Sequence, residues 1–191
     1  TPVIGMLGLV DDVARSLSAT FRHRGDAILL LGTNRGEIGG SEYLARVHGL
    51  VTGDAPMLDL ETEKRLHQVV LTAAAEGLLQ SAHDCSDGGI AVALAESCVL
   101  GRETRLGATI SLPTTGIRPD FLLFGEDQGR IIVSTRPEHA ESVAHLARDF
   151  NVPFAKIGSI GGSSLKIEGM LDCDLSDIAE AYEGGITRRL E

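Results

Sequence analysis

The run Ser81-Ala82-His83-Asp84-Cys85-Ser86-Asp87-Gly88-Gly89-Ile90 sets an imidazole, two carboxylates, a thiol, a hydroxyl and two glycines within seven positions. Polar groups at that density are costly to bury without partners, so the run is expected at a surface or cleft. Gly88-Gly89 lets the backbone turn tightly or approach another group closely. An Ala-rich helical pattern follows at once, Ala91-Val92-Ala93-Leu94-Ala95-Glu96. A helix start behind a glycine pair presents free N–H groups and can hold an anion. The competing reading makes Ser86 or Asp87 the N-cap of that helix, with no ligand involved.

Two further stretches carry the same question. Gly39-Gly40-Ser41-Glu42 is a second glycine pair before a short helix through Tyr43, Leu44 and Val47. Here too Ser41 reads either as an N-cap or as part of an anion or ligand site. Gly125-Glu126-Asp127-Gln128-Gly129-Arg130 precedes the strand Ile131-Ile132-Val133-Ser134. Glu126 and Asp127 stand close enough to a buried element to reach a cleft, although a solvated turn is the simpler expectation. Together these stretches support two functions. One is a nucleotide or phosphate enzyme, or part of one, with Asp84, Asp87 and Glu126 around a metal or an amine. The other is a noncatalytic scaffold or ligand-binding domain whose glycine pairs only shape turns. There is no Gly-x-x-x-x-Gly-Lys-Ser/Thr phosphate loop and no Gly-x-Ser-x-Gly nucleophile elbow. Residue types and spacing alone do not choose between the two.

The elements that must position these residues form an intermixed series. Thr1 to Val13 reads as an apolar, Gly-punctuated strand, Val3–Val10, running into Asp11-Asp12, and the continuous run Ala27–Gly32 as a buried one. A turn at Gly53–Pro56 precedes a helix from Asp59, with Leu66, Val69, Val70, Ala73 and Gly77 at helical spacing. Residues 80–85 form a strand, and a helix follows from Gly89 to Leu100, ended by Gly101. Gly107–Leu112 alternates as a half-buried strand, and Pro113-Thr114-Thr115-Gly116 is a turn. Pro137 begins a helix that turns Ala140, Val143, Ala144 and Ala147 inward, leaving His139 and His145 exposed. Phe154–Ile160 and Ser164–Ile167 read as a hairpin turning at Gly161-Gly162. A last helix is expected from Ser176 to Leu190. The spacing is not regularly βαβ, so the expectation is an α+β fold, a mixed β-sheet packed with helices.

Composition narrows the partners. Lys and Arg number 17 against 27 Asp and Glu, a formal charge of −10, which argues against nonspecific binding to nucleic acid or acidic membranes. Five Phe, two Tyr and no Trp leave little for a base-stacking platform. Cys85, Cys98 and Cys173 are odd in number and lack paired metal spacing, so they read as reduced thiols of a cytoplasmic protein, with Cys85 buried. No metal site is expected within the chain. The first residue is Thr1 and not methionine, and a chain excised from something longer is expected.

The segment from Ser81 to Glu96 closely resembles the corresponding segment of the phosphoribosylformylglycinamidine synthase family, ATP-dependent ligases of purine biosynthesis. Three further stretches resemble that family in the expected order: Thr1–Gly8, Gly39-Gly40-Ser41-Glu42-Tyr43-Leu44, and Phe124-Gly125-Glu126-Asp127-Gln128-Gly129-Arg130. Hydrogenase-maturation, thiamine-phosphate-kinase and selenophosphate-synthase proteins share the fold and match these words less well. The resemblance implies an aminoimidazole-ribonucleotide-synthase-like C-terminal domain over residues 21–191, preceded at 1–20 by the tail of an ATP-binding-type domain.

It further implies a whole enzyme that uses ATP and Mg²⁺ to activate the formamide oxygen of formylglycinamide ribonucleotide, which ammonia then converts to the amidine. In the family, a glutaminase subunit supplies the ammonia and bacterial assemblies add a small third subunit. The catalytic residues and those holding ATP and magnesium lie in upstream domains, so none is carried over to this chain. Implied for this domain is one wall of a ligand cleft, formed by Gly39, Gly40, Ser41, Gly88, Gly89 and Glu126, with His83, Asp84, Ser86 and Asp87 ordering the loop.

Overall fold

The computed structural model describes residues 3–10, 12–101, 104–113 and 116–186. In chain order the elements are β1 (Ala27–Leu31), α1 (Glu42–His48), α2 (Leu60–Ala75), β2 (Leu79–Asp84), α3 (Gly89–Val99), β3 (Ala108–Ile110) and α4 (Pro119–Phe124). They continue with β4 (Ile131–Thr135), α5 (Ala140–Asp149), β5 (Phe154–Ile160), β6 (Ser164–Ile167), β7 (Leu171–Asp174) and α6 (Leu175–Gly184). A strand with no polar residue must be covered on both faces. β1 meets that demand in the middle of a seven-stranded sheet of order β2-β4-β1-β5-β3-β6-β7, antiparallel to both neighbours.

The alternation of β1 builds two cores. Ile28 and Leu30 pack with Ile90 and Leu94 of α3, Leu122 of α4 and Ala179 of α6. Ala27, Leu29 and Leu31 face the other way, onto Leu66, Val69 and Ala73 of α2 and Val143 and Ala147 of α5. Beyond β5 the strands are half-buried: in β3 and β6, buried Ala108, Ile110, Leu165 and Ile167 alternate with exposed Thr109 and Lys166. The mixed α+β architecture is as expected, and α2 starts where Asp59 predicted. The Asp59 carboxylate accepts the Glu61 and Thr62 amides as its N-cap.

Five expectations are corrected. Val3–Val10 is exposed and forms no strand, because a strand needs a hydrogen-bonded neighbour and these residues pair with none among the described residues. The outer side of β2 is instead met by Ser18, whose carbonyl accepts the Ala82 amide at 3.1 Å, while Leu17 packs against the second core. β5 and β6 do not form a hairpin. β3 lies between them, antiparallel to β5 and parallel to β6, and the true hairpin is β6–β7. α2 ends at Ala75, so Gly77, at φ +69°, lies past its end and not on its inward face. The last helix begins at Leu175, and a separate short strand, β7, occupies the residues before it. His139 is half-buried, whereas His145 is exposed as expected. Thr1, Pro2 and Asp11 of the first strand, Thr114 and Thr115 of the predicted turn, and 187–190 of the last helix lie outside the described residues.

Candidate functional site

One glycine of each pair serves close approach of backbones. Gly88 and Gly89 both take positive φ, +78° and +66°, where a Cβ is strained. A Cβ on Gly89 would also run into the Gly125 and Leu123 carbonyl oxygens, so only glycine lets α3 begin against the end of α4. Gly39 is pressed against the backbone of Asp54 in the same way. The Ser41 hydroxyl, on a side chain 1% exposed, accepts the Leu44 amide at 3.3 Å and is the N-cap of α1. Neither Ser86 nor Asp87 caps α3. Its N-cap is Gly88, which has no side chain to offer, so the cap comes from elsewhere.

It comes from Glu126. One carboxylate oxygen, Oε1, accepts the Gly88 amide at 2.8 Å and the Glu42 amide at 2.9 Å. A single atom thus joins the starts of α1 and α3, two loops far apart in sequence. Three further amides here are satisfied internally: Gly89 donates to the Ser86, Gly40 to the Thr52 and Ser41 to the Ile38 carbonyl.

Asp127, expected in a solvated turn, is wholly buried. Its carboxylate accepts the amides of Arg35, Gly36 and Glu37 at 3.1, 3.2 and 2.8 Å and so fixes the loop that leads to Gly39. Arg130 pairs with it at 3.3 Å, both side chains without exposure. Arg130 also donates to the Gly125 carbonyl at 2.6 Å and to Asn34 Oδ1 at 3.1 Å. A buried pair repays its desolvation only when its other donors and acceptors are satisfied, and these are. Arg130 and Asn34 are the residues that the sequence reading missed, and Asp127 it weighed only as a cleft or turn residue. The available signal was three charged residues set directly before an apolar strand.

The remaining candidates lie at the end of β2 and in the loop that leads to α3. His83 Nε2 lies 3.0 Å from Glu96 Oε2 and joins β2 to α3. The Ser86 hydroxyl donates to Asp84, and that bond holds the Asp84 carboxyl below its usual range, with the neighbouring His83 a smaller cause. Asp87 is exposed. None of these four bonds to Glu126 or to the Gly39–Glu42 loop. Cys85 is buried, as expected, and burial pushes its thiol up to about 12. Among the described residues no three His, Cys, Asp or Glu are placed to hold a metal ion, and no helix is long and apolar enough to cross a membrane.

A family described as AIR synthase related protein, C-terminal domain, matches residues 23–168. A phosphoribosylformylglycinamidine synthase subunit PurL from an Anaeromyxobacter species is 45% identical over 193 residues, 97% of this chain and 25% of the relative. The subunit of that name from Moorella thermoacetica is 48% identical over 167 residues, 87% of this chain and 22% of the relative. The chain therefore spans about a quarter of the length of the curated relatives it matches. The structure of Thermotoga maritima PurL complexed with ATP superposes with a TM-score of 0.69 at 20% identity, over 87% of this chain and 28% of that one. A thiamine-monophosphate kinase from Stenotrophomonas maltophilia follows at 0.53 and 21%, over 81% and 54%. At these identities the structural likeness is one of fold. By its matched sequence and its mixed sheet, this chain belongs to the AIR synthase related protein family, as a C-terminal domain.

Proposed function

We propose that the chain is the C-terminal domain of a phosphoribosylformylglycinamidine synthase and forms one wall of a ligand cleft while supporting an ATP-binding half. The 45% identity to such subunits, sustained over 97% of the chain, carries the reading. On it, residues 1–20 are the tail of the preceding ATP-binding-type domain and 21–191 the C-terminal domain. The full enzyme makes formylglycinamidine ribonucleotide from formylglycinamide ribonucleotide, ATP and glutamine-derived ammonia in the cytoplasm. Mg²⁺ offsets developing phosphoryl charge in such a reaction. On this reading the residues that hold the ion lie in the upstream domains.

The work of this domain is positioning. Glu126 and Asp127 set the Gly39–Ser41 and Gly88–Gly89 turns as the cleft wall, and His83, Asp84, Ser86 and Asp87 order its rim. The partners are the upstream domains of the same polypeptide, a glutaminase subunit and a small third subunit. The isolated chain is inactive.

A strain lacking its own synthase subunit and requiring purines tests this reading. The full-length gene restores growth without purines, whereas the same gene ending at residue 20 of this chain does not. Failure of the expressed full-length protein to restore growth would overturn the assignment.

A further inference from the structure

Residues 46–60 carry the end of α1 into α2, and every one of them except Pro56 is exposed. Six are large and apolar: Val47, Leu50, Val51, Met57, Leu58 and Leu60, with Val51 92% exposed. α1 itself buries none of its side chains. Apolar side chains exposed in such a cluster mark a surface that something covers.

The backbone beneath them is held. Gly49 takes φ +66° and the Leu50 amide donates to the Leu44 carbonyl at 3.0 Å, which turns the chain out of α1. The Thr52 carbonyl accepts the Gly40 amide at 2.8 Å. Gly39 and Gly53 lie so close that a Cβ on either would collide with the backbone opposite. The Glu37 carboxylate accepts the Met57 amide at 3.2 Å. A fixed backbone carrying exposed apolar side chains is a preorganised surface, which loses little freedom on docking. The same bonds set this strap beside the Gly39-Gly40 turn.

A free second copy of the chain does not suit so small a patch. A stable interface between separate subunits takes about 20–30 residues a side, and six apolar side chains fall short of that. A surface on the same polypeptide needs less area, because a tether holds it at an effective concentration of about millimolar. The chain spans about a quarter of the length of its relatives, and its other exposed apolar stretch, Val3–Val10, belongs on the proposed reading to the preceding domain.

Given that preceding domain, on which this rests, we propose that residues 46–60 are an intramolecular docking surface, covered by an apolar face of the ATP-binding half of the same polypeptide. Val51 and Met57 lie within the contact.

In the full-length protein, the thiol of Val51→Cys is expected to react with a maleimide at least about tenfold more slowly than in the unfolded protein, read by mass spectrometry of the peptide that carries it. Reaction at the unfolded rate overturns the proposal. Photo-methionine supplied in place of methionine sets a cross-linking diazirine at position 57 with little change of shape. Its adducts are expected on residues that precede Thr1, within one polypeptide. Adducts that join two copies, or that fall only within residues 1–191, overturn it. Amidine synthesis by the same preparation is read separately. An active protein whose introduced thiol reacts freely sinks the interface alone, and an inactive folded one whose thiol is protected sinks the proposed reaction and not the interface.

Discussion

Glu126 Oε1 lies 2.8 Å from the Gly88 amide nitrogen, and the same oxygen lies 2.9 Å from that of Glu42. This carboxylate is the cap that α3 lacks in its own sequence. Glu126→Ala leaves two amides without their acceptor and is expected to lower stability by about 2–4 kcal/mol. Amide exchange should quicken at Gly88 and Glu42 before it does in β1. Glu126→Gln, which keeps one acceptor oxygen without the charge, should lose less. Chemical denaturation and hydrogen exchange read both effects.

Asp127 is the heavier anchor. Asp127→Asn turns an amide group toward the backbone donors and leaves Arg130 as a buried charge without its counter-ion. A loss of about 3–5 kcal/mol is expected from urea unfolding.

The thiols divide by burial. Burial pushes Cys85 and Cys98 up to about 12, while Cys173 is exposed on β7. Since the thiolate is the reactive form, a disulfide reagent should titrate Cys173 in the folded protein and the other two only on unfolding. Rapid reaction of a second thiol under native conditions would contradict this burial.

Asp26 is 3% exposed, and one of its carboxylate oxygens has no hydrogen-bond partner. Burial raises its carboxyl above the usual 3.8, outweighing the nearby charges of His23 and Arg136. The folded state therefore holds this proton more tightly than the unfolded one. That contribution is fully present below the ordinary aspartate value and is lost as pH rises through the raised one. Asp26→Asn should accordingly be more stable than the unaltered protein at pH 7, with the advantage vanishing below about pH 4. Thermal melts across that range check it.

What the sequence made legible was local. The apolar run of β1, the caps at Ser41 and Asp59 and the alternation in β3 each follow from a few neighbouring residues. What it hid was set by distant chain. Gly161-Gly162 between two apolar runs is a sound hairpin signal, yet β3 enters between them from about fifty residues upstream. Glu126 and Asp127 look like a solvated turn because their partners, the amides of residues 35–37, 42 and 88, belong to other loops. The family resemblance rested on the same glycine pairs and acidic turn, whose spatial relation only the fold reveals.

The most direct test of the proposed role is to supply the full-length protein with formylglycinamide ribonucleotide, ATP, Mg²⁺ and ammonium, so that no glutaminase is needed. Formation of formylglycinamidine ribonucleotide, with one ADP and one phosphate released per product, is the predicted result. ATP left intact and no amidine formed by the folded protein would contradict it.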